Sequence, residues 1–210
     1  MLQSRHPAFV VTIAILIVAW SCCQLKTIAE NAPVKALAGK TVDQYASDIN
    51  DENRTVRLRA AKSLSAMGQS AGKTLRRALG HDDPAVRYIA ATGLGRIGGD
   101  ALAAAQSSLE KLADDEQSHA ARMAACFALC KLGKTSDHLD VLIKTLTHRE
   151  RGVVCAAAEL LGEIGPPANQ AIDELQSVHA KNKAGVKGGD YHIGGAAMNA
   201  LRKIDPENFQ

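Results

Sequence analysis

Three groups of side chains in this chain have types and spacings that chemistry can use. His81 and His148 each stand 17 residues ahead of a glycine (Gly98, Gly165), and Asp51 and Glu116 stand the same distance ahead of Gly68 and Gly133. A column of His, Asp and Glu along one edge is the residue set of a metal site. Spacing argues against that use. Packed helices stand about 8–10 Å apart, whereas zinc ligands converge to about 2 Å from one ion, so equivalent residues of successive units diverge. No metal and no cofactor is expected. The second group is Cys126, Cys130 and Cys155. Cys126 falls at an alanine position of a helical core, which predicts a buried, inert thiol. The i, i+4 spacing of Cys126 and Cys130 is poor for a disulfide, and a bridge from Cys155 to that helix stays open in an oxidising compartment. No Gly-x-Ser-x-Gly, His-Glu-x-x-His or Cys-His pattern is present, so no catalytic residue is assigned.

The third group is cationic. Arg57, Arg87 and Arg122 recur at one position of a repeating pattern, and Asp51 or Asp82/Asp83 precedes the helix that bears them. One use is a ladder of Arg–Asp contacts stitching neighbouring units, each worth little if exposed. Another is phosphate contact by Arg54, Arg57, Arg59, Arg76, Arg77 and Arg87. The formal charge of +3, the 3% aromatic content and the apolar N-terminus argue against nucleic acid. The residues assigned to partner contact are Arg57, Arg76, Arg77, Arg87, Lys181, Lys183 and Lys187.

The elements that must position them are helices. Asp82 to Gly98 reads as one helix with both ends marked. Asp83 suits the cap and Pro84 the first turn. Val86, Ala90, Leu94 and Ile97 share a face, and Gly98 offers the left-handed stop. The same phrase recurs at Val56–Gly68, Ala121–Gly133 and Val153–Gly165, and decays at Ile193–Asp205. The closing positions lie 30, 35, 32 and 40 residues apart, the period of a solenoid. A shorter amphipathic helix precedes each copy, at Val42–Ile49, Lys73–Leu79, Leu102–Leu112, Leu139–Leu146 and Ile172–Val178. Thr41 with Gln44 makes a capping box where the repeats begin.

The pattern Val-Arg-x-x-Ala-Ala-x-x-Leu-x-x-hydrophobic-Gly, almost intact twice over residues 41–205, resembles the HEAT-like repeat family, in particular the short repeats named after phycobilisome lyases. The Gly-Pro-Pro-Ala turn at 165–168 is similar to the same family. The resemblance implies an all-α, right-handed α-solenoid of about five helix pairs over residues 41–208, with one helix row lining an elongated concave groove. It implies no single activity, since such repeats serve unrelated tasks. Some relatives are lyases, oxidoreductases or DNA glycosylases. The di-iron hydroxylase of this repeat class uses His-Glu pairs, and this chain has no His-Glu dipeptide.

The ends and the charge pattern supply the rest. Arg5 and His6 precede the unbroken apolar run Ala8–Ala19, so residues 1–21 read as a signal peptide or membrane anchor. Ala19 and Ser21 fit a cleavage site before Cys22, a candidate lipid acceptor. Residues 22–40 read as a tether. The repeats are then expected outside the cytoplasm: membrane-anchored, lipid-anchored, periplasmic or secreted. Lys/Arg outnumber Asp/Glu nine to six over residues 41–98, trail seven to twelve over 99–178, and lead five to three over 179–210. Such a basic–acidic–basic surface suits an oppositely patterned protein. Lys181–Asp190, with three lysines and three glycines, lengthens the last unit and reads as a mobile, positive loop. The expectation is a non-enzymatic, exported scaffold that binds a protein or peptide. A repeat enzyme such as a lyase and a structural spacer are the alternatives.

Overall fold

The computed structural model describes residues 36–114 and 117–209. Residues 1–21, read as a signal peptide or anchor, Cys22, most of the stretch read as a tether, and Glu116 lie outside the described residues. Two short antiparallel strands open the described chain, β1 (Ala36–Leu37) and β2 (Lys40–Thr41). The Tyr45 hydroxyl donates to the Leu37 carbonyl at 2.9 Å, Lys40 pairs with Asp48 at 2.6 Å, and Leu37 packs on the core. Residues 36–40, inside the stretch read as a tether, therefore belong to the folded unit.

Ten helices follow among the described residues, two per unit. They are α1 (Val42–Asp48) with α2 (Arg54–Ala66), α3 (Gly72–Ala78) with α4 (Pro84–Ile97), and α5 (Gly99–Ala113) with α6 (His119–Lys131). Next come α7 (Thr135–Thr145) with α8 (Arg151–Ile164), and α9 (Ile172–Asn182) with α10 (Tyr191–Ile204). The boundaries follow local chemistry. Thr41 and Gln44 form the capping box, and Asp83 accepts from the Ala85 amide with Pro84 in the first turn. One expectation fails: α5 runs 15 residues and is longer than α6 at 13, because Gly99 starts the helix without an intervening loop.

That junction also alters the stop. Gly98 has the positive φ expected, +65°, but ψ is −156°, outside the left-handed helical region. It ends α4 and begins α5 at once, and Gly165 (φ 77, ψ −147) does the same before the 3₁₀ turn Pro166–Ala171. Gly133 (φ 87) instead completes a Schellman motif. Its amide bonds Cys130 O at 2.9 Å, and the Lys134 amide bonds Leu129 O at 3.1 Å.

The pairs stack as an all-α solenoid. Each second helix packs on the next along the whole row α2, α4, α6, α8, α10, whereas among first helices only α3 and α5 make more than marginal contact. The closer row lies on the inside of the curve, so the second helices line the concave side. Small residues permit this. The Phe127 ring lies so close to Gly95 that a Cβ there would sit 2.6 Å from its Cε1 and 3.2 Å from Ala128 Cα. The core is continuous but has two clusters, one built by units one to three and one by units three to five. Both draw on α6: Ala121, Ala124, Ala125, Ala128 and Leu129 belong to the first cluster, and Met123, Cys126, Phe127 and Cys130 to the second, with the Phe127 ring also against Gly95 of α4.

Overpacking at that contact gives a test. Gly95→Ala is expected to cost about 1–3 kcal/mol despite better helix propensity. Gly152→Ala, where an added Cβ meets nothing within 4 Å, should gain about 0.5 kcal/mol. Urea midpoints of the two variants check this, and a Gly95→Ala protein as stable as the parent contradicts the packing described.

Candidate docking surface

The His/Asp column is a set of turn acceptors. His81 Nδ1 accepts from the Asp83 amide at 2.9 Å, His148 Nδ1 accepts from the Glu150 amide at 3.1 Å, and Asp51 Oδ1 accepts from the Asn53 amide at 2.7 Å. One geometric task, an acceptor two residues ahead of an amide, is met by either side chain, which is why they interchange at this register. His119 joins the edge by stacking on His148, ring centroids 5.2 Å apart, with Nε2 3.2 Å from Thr145 Oγ1. Burial, then His148 and Arg122, hold its imidazole below the ordinary 6.5. No three potential metal ligands come together among the described residues.

The arginine ladder is the second layer of the same edge. Arg57 NH1 donates to the carbonyls of Asp51 (2.8 Å) and Glu52 (2.9 Å), and Arg87 NH1 donates to those of His81 (2.7 Å) and Asp82 (2.9 Å). Each guanidinium clamps the turn of its own unit. Arg57 also reaches the next unit, pairing with Asp83 at 3.1 Å, and Arg54 joins it at 3.1 Å. Asp83, with its side chain 8% exposed, is thus both cap and inter-unit tie. Burial pushes its carboxyl up, but the Ala85 amide and the Arg54 and Arg57 guanidiniums outweigh this and hold it below 3.8. Arg57 is accounted for by these structural bonds.

The remaining candidates fall in two places. Arg76, Arg77 and Arg87 come together around a cavity of about 720 Å³ at the turn edge between α3 and α5. Lys111 completes its cationic lining, His81 stands beside it, and Asp82 is the one acid lining it among the described residues. Arg76 donates to Ala104 O at 3.3 Å, while Arg77 and Lys111 have no ion-pair partner among the described residues. Lys111 was missed by sequence reading, because it sits at no recurrent position. Lys181, Lys183 and Lys187 are exposed on the fifth unit, far along the stack from this cavity. Their loop is built of turns. Val186 and Gly189 amides close successive turns on Lys183 O and Val186 O, and the Asp190 amide donates to Asn182 Oδ1 at 3.0 Å.

The concave side is not one unbroken groove. At the position six residues before each closing residue stand Lys62, Thr92, Phe127, Glu159 and Asn199. Lys62, Glu159 and Asn199 are exposed, but Phe127 is 0% exposed. Arg96 on α4 reaches past the third unit to α8, donating to both Glu163 carboxylate oxygens at 2.9 and 2.7 Å, with Glu159 at 3.6 Å. Beyond this bridge a recess of about 600 Å³ opens between α8 and α10, floored by Gly162, Ala196 and Ala200. Tyr191, 65% exposed and set against His192, stands at its rim with Cys155. A lone aromatic at a register that is polar elsewhere was the sequence signal for Phe127; nothing pointed to Arg96 and Glu163 as a pair.

The three described cysteines are free. Burial pushes the thiol of Cys126 up to about 11 and that of Cys130 up to about 12, as expected of inert core thiols, and raises that of Cys155.

The double role of Asp83 separates two energies. Asp83→Asn keeps a competent cap and loses the ion pairs, at about 1 kcal/mol; Asp83→Ala loses both, at about 2 kcal/mol. Because the folded carboxyl titrates below 3.8, its stabilisation is present above that pH and fades as pH falls through the lower, folded value. Denaturant titrations of parent and Asp83→Asn should therefore converge in acid; curves that stay parallel down to full protonation refute the assignment.

A family comparison agrees with this architecture. The profile of HEAT repeats matches residues 44–130 and 107–189. Among solved structures, two crystal structures of engineered proteins share 22% and 21% identity with it, each with a TM-score of 0.48. The first covers 78% of this chain and 78% of its own length, the second 79% and 81%. No curated protein matches. With the repeat profile spanning most of the chain and five stacked helix pairs beneath it, the chain belongs to the HEAT-repeat family.

Proposed function

We propose that this HEAT-repeat chain is a non-enzymatic scaffold that holds an acidic segment of another protein at the turn edge between α3 and α5. The observation behind the reading is the cavity of about 720 Å³ where Arg76, Arg77, Arg87 and Lys111 face one acid, Asp82, among the described residues. Arg87 is already fixed to turn carbonyls, so Arg76, Arg77 and Lys111 are the side chains that would move to meet carboxylates. Exposed pairs of this kind are worth about 0.2–1 kcal/mol each, so capture would depend on several acting together along an extended partner. Lys181, Lys183 and Lys187 offer a second cationic contact on the fifth unit.

The apolar run Ala8–Ala19 and the residues around Cys22 support export, followed by cleavage, lipidation or retention as an anchor. In that reading the repeats work outside the cytoplasm, tethered to a membrane or released from it. No helix among the described residues is long and apolar enough to cross a membrane.

A photo-crosslinker placed at Lys73, one turn ahead of Arg76 and Arg77 on α3, tests the scaffold reading in cells of the source organism. The expected outcome is a discrete crosslinked polypeptide that is lost in an Arg76→Glu/Arg77→Glu/Lys111→Glu variant and kept when Lys181–Asp190 is deleted. Capture that survives the charge reversal but vanishes with the deletion moves the site to the loop. No crosslinked polypeptide at all leaves the spacer.

A further inference from the structure

In a solenoid each unit normally touches only its neighbours, so a bond between units two apart acts on curvature rather than on any single unit. Arg96 and Glu163 make such a bond. They are 67 residues apart, on α4 and α8, and α6 lies between their helices. The fork is bidentate, a geometry that fixes direction as well as distance. Glu159 adds a second carboxylate 3.6 Å from the guanidinium, and Lys131 on α6 donates to Glu163 O at 3.2 Å.

What the bond spans is the natural hinge of the stack. The contact between α6 and α8 is the slimmest in the second-helix row, whereas α4 with α6 and α8 with α10 are broadly packed. The second core cluster, which takes Met123, Cys126, Phe127 and Cys130 from α6 together with the units beyond, carries the apolar contact across this joint. Units one to three and units four and five are two blocks joined by that slim helix contact and by the side chains of the second cluster, and Arg96–Glu163 straps them together on the concave side. Tyr88, which packs against both clusters, lies under the strap. Met123, Phe127 and Cys130, fully or nearly buried, lie where the two blocks meet.

We propose that the Arg96–Glu163 bridge is a salt-sensitive latch that holds the two blocks in the curled form and keeps the concave face closed over Phe127. Arg96 and Glu163 side chains are 49% and 22% exposed, so added salt reaches the pair. With the latch open, the blocks swing about the α6–α8 contact and the face between α4 and α8 becomes a continuous lane joined to the Tyr191 recess. A partner that lies along the whole concave side needs the open form, and one that uses only the recess between α8 and α10 does not.

The buried thiols report the hinge. Full-length parent, Arg96→Gln, Glu163→Gln, the exchange Arg96→Glu/Glu163→Arg and a control, Lys134→Gln, which breaks the Lys134–Glu110 pair inside the third unit, are labelled with a thiol reagent. Labelling is followed at Cys126 and Cys130 by peptide mass spectrometry, with scattering for the radius of gyration and circular dichroism for helix content. The expected result is about tenfold faster labelling and a larger radius in both single variants at unchanged helix content, with the exchange and the control behaving as the parent. Raising salt from about 0.05 M to about 1 M should speed the parent and leave Arg96→Gln unmoved. Unchanged labelling in the single variants overturns the latch, as does faster labelling without a change in radius, which would be a local breach. Should both single variants unfold, the salt series on the parent still decides: labelling and radius that ignore salt overturn the proposal.

Discussion

Close approach of the second helices is the constraint on which the rest of the structure depends. Alanines and the glycines Gly93, Gly95 and Gly162 let α2, α4, α6, α8 and α10 stack with little side chain between their backbones. The first helices, with larger leucines inward, stand further apart. The inequality bends the stack toward the second-helix side. It also explains how 44 buried apolar side chains among the described residues form a core whose aromatics there are Phe127 and Tyr45. Burying such a side chain is worth about 1.5–3 kcal/mol, far more than any one surface ion pair here.

On the turn edge the polar residues do a different job from the one their types suggest. His81, His148 and Asp51 close turns, and Arg57 and Arg87 lock those turns from above. Asp83 ties one unit to the next as cap and ion-pair partner together, and Asp190, capping α10 and 3.7 Å from Arg151, repeats the arrangement between the last two units. A column that looks like a ligand set is thus a repeated answer to one backbone problem: how to satisfy amides between two helices in four or five residues. Charge left over from that task, on Arg76, Arg77 and Lys111, is what the surface has available for a partner.

The scaffold has two rhythms. Close packing holds along most of the second-helix row and thins between α6 and α8, and the third unit places Phe127 where its neighbours carry Thr92 and Glu159. Units on either side of a weak joint can be set at an angle by one well-made bond between them, and the Arg96 fork is placed to do that. Shape and surface are then coupled, because the same bond that sets the curl decides how much of the concave side is open.

Helix limits, caps, the period and the family were legible in the chain because each is settled within a few residues: Thr41 with Gln44, Asp83 with Pro84, the glycines at the closing positions. The buried state of Cys126 followed for the same reason, from its place in a periodic core. Local rules also misled where two of them met. Gly98 was both a stop and a start, so its ψ and the length of α5 came out differently. The meeting of Arg76 and Arg77 with Lys111, the turn-closing role of His81 and His148, and the reach of Arg96 to Glu163 were decided only in three dimensions. Each depends on the angle accumulated from unit to unit, and that angle is a sum of small packing differences between residues far apart in the chain, which no local pattern records.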